Sequence, residues 1–68
     1  MTYQQMQATY AAKAQRYSKA QCLFAISDCH ETLRSLGAEI EKHYETQLWA
    51  EIDAMRDRLA ALTRKEAA

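Results

Sequence analysis

Apolar residues recur at helical spacing along most of this chain. The first stripe is aromatic, and its aromatic members return every seven residues: Tyr3, Met6, Tyr10, Ala14, Tyr17 and Phe24. A repeat of seven keeps side chains on one side of an α-helix. No segment alternates apolar and polar residues over the length of a strand. The pattern therefore predicts an all-α protein.

Two further stripes follow the first. One consists of Cys22, Ile26, Cys29, Leu33 and Leu36, and the next of Ile40, Tyr44, Leu48, Ile52, Met55, Leu59 and Leu62. At about 100° per residue, the second stripe is rotated from the first by roughly a third of a turn or more. A single helix carrying both stripes would present its two halves to different neighbours; otherwise the chain bends between about residues 18 and 28.

The chain has no proline and one glycine, Gly37. Glycine adopts the left-handed backbone that often ends a helix, so Gly37 marks the expected turn. This predicts one helical domain over 1–68, with helix one at about 2–35 and helix two at about 38–65. A rival break lies at Ser27-Asp28, because Asp28 and Glu31 have the spacing of a capping box. The cap preference of glycine favours the turn at Gly37, although the apolar stripe keeps its phase across it.

Two such helices form a thin antiparallel hairpin, which leaves apolar side chains exposed along both of them. A second copy would cover these side chains, and the expected assembly is a four-helix bundle formed by a homodimer. The residues expected in the core or at the dimer interface are Phe24, Ile26, Leu33, Leu36, Ile40, Leu48, Ile52, Met55, Leu59 and Leu62.

The two cysteines, Cys22 and Cys29, are seven residues apart. On one helix they would be separated by about 10 Å of rise, which is more than a disulfide spans. We expect free thiols in the core, which suit a reducing compartment such as the cytoplasm. No stretch approaches the ~20 apolar residues of a membrane span, so no membrane association is expected.

The motifs of metal binding and catalysis do not occur. Glu39 and His43 share a helix face but form an ordinary surface pair rather than part of a metal site. Cys29 and His30 are adjacent, and adjacent helical side chains diverge by about 100°, so His30 is poorly placed to activate the thiol. We expect no metal, no cofactor, no small-molecule substrate and no enzymatic activity.

The net charge is zero, but the charges are unevenly distributed. Residues 1–27 contain three bases and no acid, whereas residues 28–68 contain nine acids and six bases. Lys13, Arg16 and Lys19 are spaced by three and could follow a phosphate backbone. Zero net charge favours a different interpretation, in which these residues form a solvated face that complements the acidic half of the chain.

Aromatic residues and arginine are enriched at the centres of protein interfaces. On this basis we expect partner binding by Tyr10, Arg16, Tyr17 and Trp49, although the pattern leaves open whether the aromatic stripe is core or recognition surface. The leading hypothesis is a non-enzymatic module that docks on a larger protein as an adaptor or inhibitor, of the size that phages and other mobile elements encode. The alternatives are a nucleic-acid accessory protein and a purely self-assembling bundle.

Overall fold

A computed structural model describes residues 2–67 of the chain and shows three α-helices. Helix α1 spans Tyr3–Ala14, α2 spans Lys19–Leu36 and α3 spans Lys42–Ala67. A short 3-10 turn, Gly37–Glu39, joins α2 to α3. No strand occurs within residues 2–67. The prediction of an all-α protein is confirmed.

The expected continuous helix over 2–35 is wrong, because the chain breaks between α1 and α2. Ser18 has extended backbone, and its hydroxyl accepts a hydrogen bond from the backbone N–H of Gln21 at 3.2 Å. The Gln21 side chain in turn accepts from the Ser18 N–H at 2.8 Å. This capping box satisfies two N–H groups that an α-helix leaves unpaired at its start. Thr2 and Gln5 form the same arrangement at the start of α1.

Gly37 follows the last residue of α2 and has φ = 53°. Residues with a Cβ rarely adopt this backbone conformation, so glycine is well suited to the position. The rival break at Ser27-Asp28 is also wrong, since both residues lie inside α2.

Helix α3 is central, and α1 and α2 both pack on it while touching each other little. The chain measures 43 × 24 × 15 Å. In a closed three-helix bundle each helix packs on both of the others, whereas α1 and α2 have few contacts with each other. The helices therefore form an open layer with α3 in the middle, rather than a closed bundle.

One side of α3 packs on α2. Cys22 and Met55 form a cluster with Ala14, while Leu48, Ile52 and Cys29 form a second cluster. Ile26 packs against both clusters. The two helices are antiparallel. Lys19 at the start of α2 pairs with Glu66 near the end of α3, and His30, later in α2, contacts Trp49, earlier in α3.

A second side of α3 packs on α1, and the apolar stripe did not predict it. Gln47 donates a hydrogen bond to the Tyr10 hydroxyl, and Arg58 donates to the carbonyl of Gln15. Ala50 and Ala54 lie between these two contacts on the same side of α3 and are fully buried. Small side chains at this position let α1 approach closely.

Two of the residues expected in the core or dimer interface are not core residues of the single chain. Phe24 is 73% exposed, and Leu36 is also exposed. Within residues 2–67, the fully buried part of the expected set is Leu48, Ile52 and Met55; Ile26, Leu33, Ile40, Leu59 and Leu62 are half-buried. Three helices per chain also mean that a dimer would contain six helices, not four.

Candidate interaction surfaces

A groove of ≈ 580 Å³ lies on one face of the layer, beside α2. Its lining residues are Tyr17, Ala20, Gln21, Phe24, Ala25, Asp28 and Glu51. Phe24 projects into solvent at its edge. The charged residues of the lining are both acidic, so the groove combines an apolar rim with negative charge.

Trp49 forms a separate aromatic surface at the seam between α2 and α3. Its ring meets the His30 ring edge to face, with centroids 5.8 Å apart and planes at 79°. Trp49 is 41% exposed. Because Trp49 and Glu51 are two positions apart on one helix, their side chains diverge by about 160°. The Trp49 surface therefore lies on the opposite face of the layer from the groove.

The α1 side of the molecule holds a smaller pocket, lined by Met6, Thr9, Tyr10, Lys13, His43 and Gln47. Tyr10 is half-buried, and its hydroxyl accepts a hydrogen bond from Gln47 at 2.8 Å. This bond ties Tyr10 to α3 and makes it part of the α1–α3 contact. At the start of α1, the Tyr3 hydroxyl donates a hydrogen bond to the Asp53 carboxylate, which is a second tie between α1 and α3.

The four residues expected to bind a partner do not form one surface. Tyr10 lines the α1 pocket, Tyr17 lines the groove and packs against the Cys22–Met55 cluster, and Trp49 lies on the other face. Arg16 is exposed in the turn between α1 and α2. Trp49 is the member with the largest exposed aromatic ring.

The three basic residues proposed as nucleic-acid contacts are divided by the break at 15–18. Lys13 lies near the end of α1 with its Nζ 6.0 Å from the centre of the Tyr17 ring. Lys19 begins α2 and forms an ion pair with Glu66 at 3.1 Å. The charge of Lys19 is thus partly neutralised within the chain, as the complementary-face interpretation of the sequence expects.

Both cysteines are buried free thiols, as predicted. Burial raises the pKa of Cys22, and the nearby Arg58 opposes this shift. Burial, together with a hydrogen bond to Glu51 and the charges of Glu51 and Asp28, raises the pKa of Cys29 to about 12. A thiol with such a pKa stays protonated at neutral pH and is a poor nucleophile.

Within residues 2–67, no group of three or more His, Cys, Asp or Glu side chains is placed to hold a metal ion. No helix in this part of the chain is both long enough and apolar enough to cross a membrane.

The chain was compared with protein-family models, curated proteins and solved structures, and none of them matches it.

The structure also identifies surface residues that the sequence pattern assigned elsewhere or omitted. Phe24 continued the seven-residue aromatic repeat and was expected to be covered, and its neighbour Leu23 belonged to no stripe. Both are exposed in the first third of α2. The signal that could have revealed this is the Ser18–Gln21 capping box. It starts a new helix, so the seven-residue repeat of the first stripe does not predict which side chains of α2 are buried.

Proposed function

We propose that this protein is a non-enzymatic binding module that forms a homodimer and docks on a larger protein as an adaptor or inhibitor. The observation that carries the docking proposal is Trp49, whose large ring is exposed beside His30 on a face of the layer that no helix of residues 2–67 covers. Tryptophan is among the residues most enriched at the energetic centres of interfaces.

The form of the molecule supports a role in binding. Three helices in an open layer leave two broad faces, and these carry exposed apolar side chains that include Leu23, Phe24, Tyr44 and Trp49. Exposed apolar side chains that lie together, as those of the adjacent Leu23 and Phe24 do, are typical of surfaces that bind other proteins. Arg16 is exposed in the turn that precedes the groove residue Tyr17.

The test is capture of a partner by the tagged full chain from a nuclease-treated lysate of its source cells, followed by measurement of binding to the purified partner. Trp49→Ala is expected to weaken this binding at least about tenfold, which corresponds to ~1.4 kcal/mol. Glu45→Ala is the matched control, because Glu45 is exposed one helical turn before Trp49.

Circular dichroism and thermal unfolding separate binding from folding. If Trp49→Ala unfolds the chain, Trp49 is a structural residue and its assignment is wrong. If both variants bind like the natural chain, the docking surface lies elsewhere. Recovery of nucleic acid alone, lost with nuclease or at moderate salt, would replace the proposal with the nucleic-acid alternative.

A further inference from the structure

The break between α1 and α2 consists of residues that would also suit a continuous helix. Residues 15–18 include neither glycine nor proline. Gln15 keeps a helical backbone, with φ = −58° and ψ = −23°, and the N–H of Tyr17 donates to the carbonyl of Ala14 at 2.9 Å. Ser18 has φ = −75°, which a helix also allows, and leaves the helical region through ψ = 165°. Rotation about backbone bonds near Ser18 would therefore join α1 and α2 into one helix.

The hydrogen bonds of the break can be exchanged for those of a helix. In the single chain, the capping box pairs the N–H groups of Ser18 and Gln21. The N–H groups of Lys19 and Ala20 lie in the first turn of α2, where the helix offers no backbone acceptor. In a continuous helix, all four groups would bond to carbonyls four residues earlier. Straightening therefore leaves none of these N–H groups without an acceptor.

Helix α1 can separate from α3 without disturbing the packing of α2. The helices α1 and α2 have few contacts with each other, and α2 is held on α3 by its own buried residues, which include Cys29. The fully buried side chains of α1 are Met6 and Ala14. Departure of α1 uncovers Ala50 and Ala54 on α3, and these small side chains need a closely packed helix to cover them. The α1 helix of a second copy fits this side of α3, because the chain already makes the same contact with itself.

The direction of α1 determines where it goes when the break straightens. Met6 shares a pocket with His43, near the start of α3, and Ala14 packs with Met55, nearer its end, so α1 runs in the same direction as α3. Helix α2 is antiparallel to α3 and begins beside its end. A straightened α1 would therefore extend past the end of its own α3. A two-fold axis that makes the two long helices antiparallel places α3 of the second copy beside α1, and again in the same direction.

The two apolar stripes of this segment fit the same arrangement. On one straight helix the stripe of α1, which includes Tyr10, is rotated from the stripe of α2, which includes Cys22, by roughly a third of a turn or more. Such a helix needs two neighbours on different sides. The stripe of α2 faces α3 of its own chain, and the stripe of α1 would face α3 of the second copy.

We propose that this chain forms a dimer by exchanging α1: α1 and α2 straighten into one helix, and α1 of each copy packs on α3 of the other. The exchanged contacts repeat those of the single chain, so Tyr10 accepts its hydrogen bond from Gln47 of the partner subunit. Exchange of an identical element is a low-cost route to symmetric dimers, and short hinges favour it. The exchanged dimer contains four helices, because each chain contributes one long helix and α3.

The first test uses a proline that fits the break but not the continuous helix. Proline suits the first position of a helix and favours extended backbone in the residue before it, which is the conformation of Ser18 in the single chain. Inside a continuous helix, Lys19→Pro removes a hydrogen bond and clashes with the preceding turn. Sedimentation equilibrium of the natural full chain should approach twice the 7.8 kDa of one chain. Lys19→Pro should raise the dissociation constant at least about tenfold.

Lys19→Ala is the matched control for this variant. It removes the same side chain and its ion pair with Glu66, but it permits the continuous helix, so it should dimerise like the natural chain. Circular dichroism and thermal unfolding check that each variant is folded. A natural chain that is monomeric at every concentration would overturn the proposal, and so would a folded Lys19→Pro variant that dimerises as strongly as Lys19→Ala.

The second test locates α1 directly and uses only the natural sequence. Isotope-labelled and unlabelled chains are unfolded, mixed and refolded together, so that mixed dimers form. Isotope-filtered nuclear Overhauser spectra should then show contacts between Tyr10 of one chain and Gln47 of the other. If these contacts occur only within one chain, α1 stays on its own α3, and the exchange is overturned whatever the oligomeric state.

The proposal rests on the homodimer component of the proposed function and adds the element that is exchanged. It leaves the docking surface intact, because His30 and Trp49 contact each other across α2 and α3 of one chain, which stay together. A monomeric natural chain that still binds its partner through Trp49 would remove the exchange and keep the docking surface. A dimer that Lys19→Pro disrupts, but that shows no binding dependent on Trp49, would do the reverse.

Discussion

The Cys29 thiol donates a hydrogen bond to the Glu51 carboxylate, with Sγ 3.3 Å from Oε2. This contact joins α2 to α3 directly beside the groove that Glu51 lines. Burial and the carboxylate together raise the pKa of the Cys29 thiol to about 12. The contact thus contributes to the fold only while the thiol is protonated.

The stability of the fold should therefore fall in alkaline solution. The folded-state pKa of Cys29 is above the unfolded value of ~8.5, so its contribution is complete below that value and is lost as the pH rises toward about 12. Urea unfolding at a series of alkaline pH values should show a steeper loss of stability for the natural chain than for Cys29→Ala. Equal slopes would contradict the assignment of this loss to Cys29.

Removal of the Glu51 charge should make Cys29 more reactive. Glu51→Gln lowers the pKa of the thiol, because the carboxylate no longer stabilises the protonated form. The rate at which iodoacetamide alkylates Cys29 should begin to rise at a lower pH than in the natural chain. Glu45→Gln is the control, since Glu45 is an exposed acid of the same helix and should leave the profile unchanged.

The start of α2 should depend on the Ser18 hydroxyl. Ser18→Ala removes the acceptor for the Gln21 N–H and should lower the free energy of unfolding by about 1 kcal/mol. Ser27→Ala is the comparison, because Ser27 is exposed inside α2, where alanine is the better helix former. Denaturant unfolding of both variants measures the difference, and an equal effect would mean that the cap contributes nothing specific.

The α1–α3 contact should not tolerate a larger side chain at Ala54. This residue is buried between the α3 positions that contact Tyr10 and Gln15, so Ala54→Leu should destabilise the fold by about 1–3 kcal/mol. Ala60→Leu, an exposed position on α3, should have little effect. If thermal unfolding gave the same midpoint for both variants, α1 would not pack closely on this side of α3.

The Gly37 turn should respond to backbone geometry rather than to the size of a new side chain. A Cβ at Gly37 would meet no heavy atom within 4 Å, but φ is positive there. Gly37→Ala should lower stability by about 1–3 kcal/mol, and Gly37→Leu should do so by a similar amount. Chemical denaturation can compare the two, and a natural-like Gly37→Ala variant would show that the turn is not strained by an L-residue.

The break between α1 and α2 shows why helix boundaries were harder to predict than helix content. Tyr10 and Tyr17 keep a seven-residue spacing that suggests one continuous helix. The competing signal is local and weak, since Ser18 and Gln21 contribute only two hydrogen bonds. The break is favourable because it lets α1 pack on a different side of α3, where Met6 is buried.

The sequence by itself determined that the chain is helical and that the side of α3 containing Leu48, Ile52 and Met55 is apolar. Helix propensity and periodicity are local properties, so they can be read without knowledge of the neighbours. Only the tertiary structure decided that Ala54 is buried and Phe24 exposed. Burial depends on which helix lies opposite: small alanines are covered because α1 packs closely on them, whereas the larger phenylalanine lies on an outer edge where the same chain places no helix.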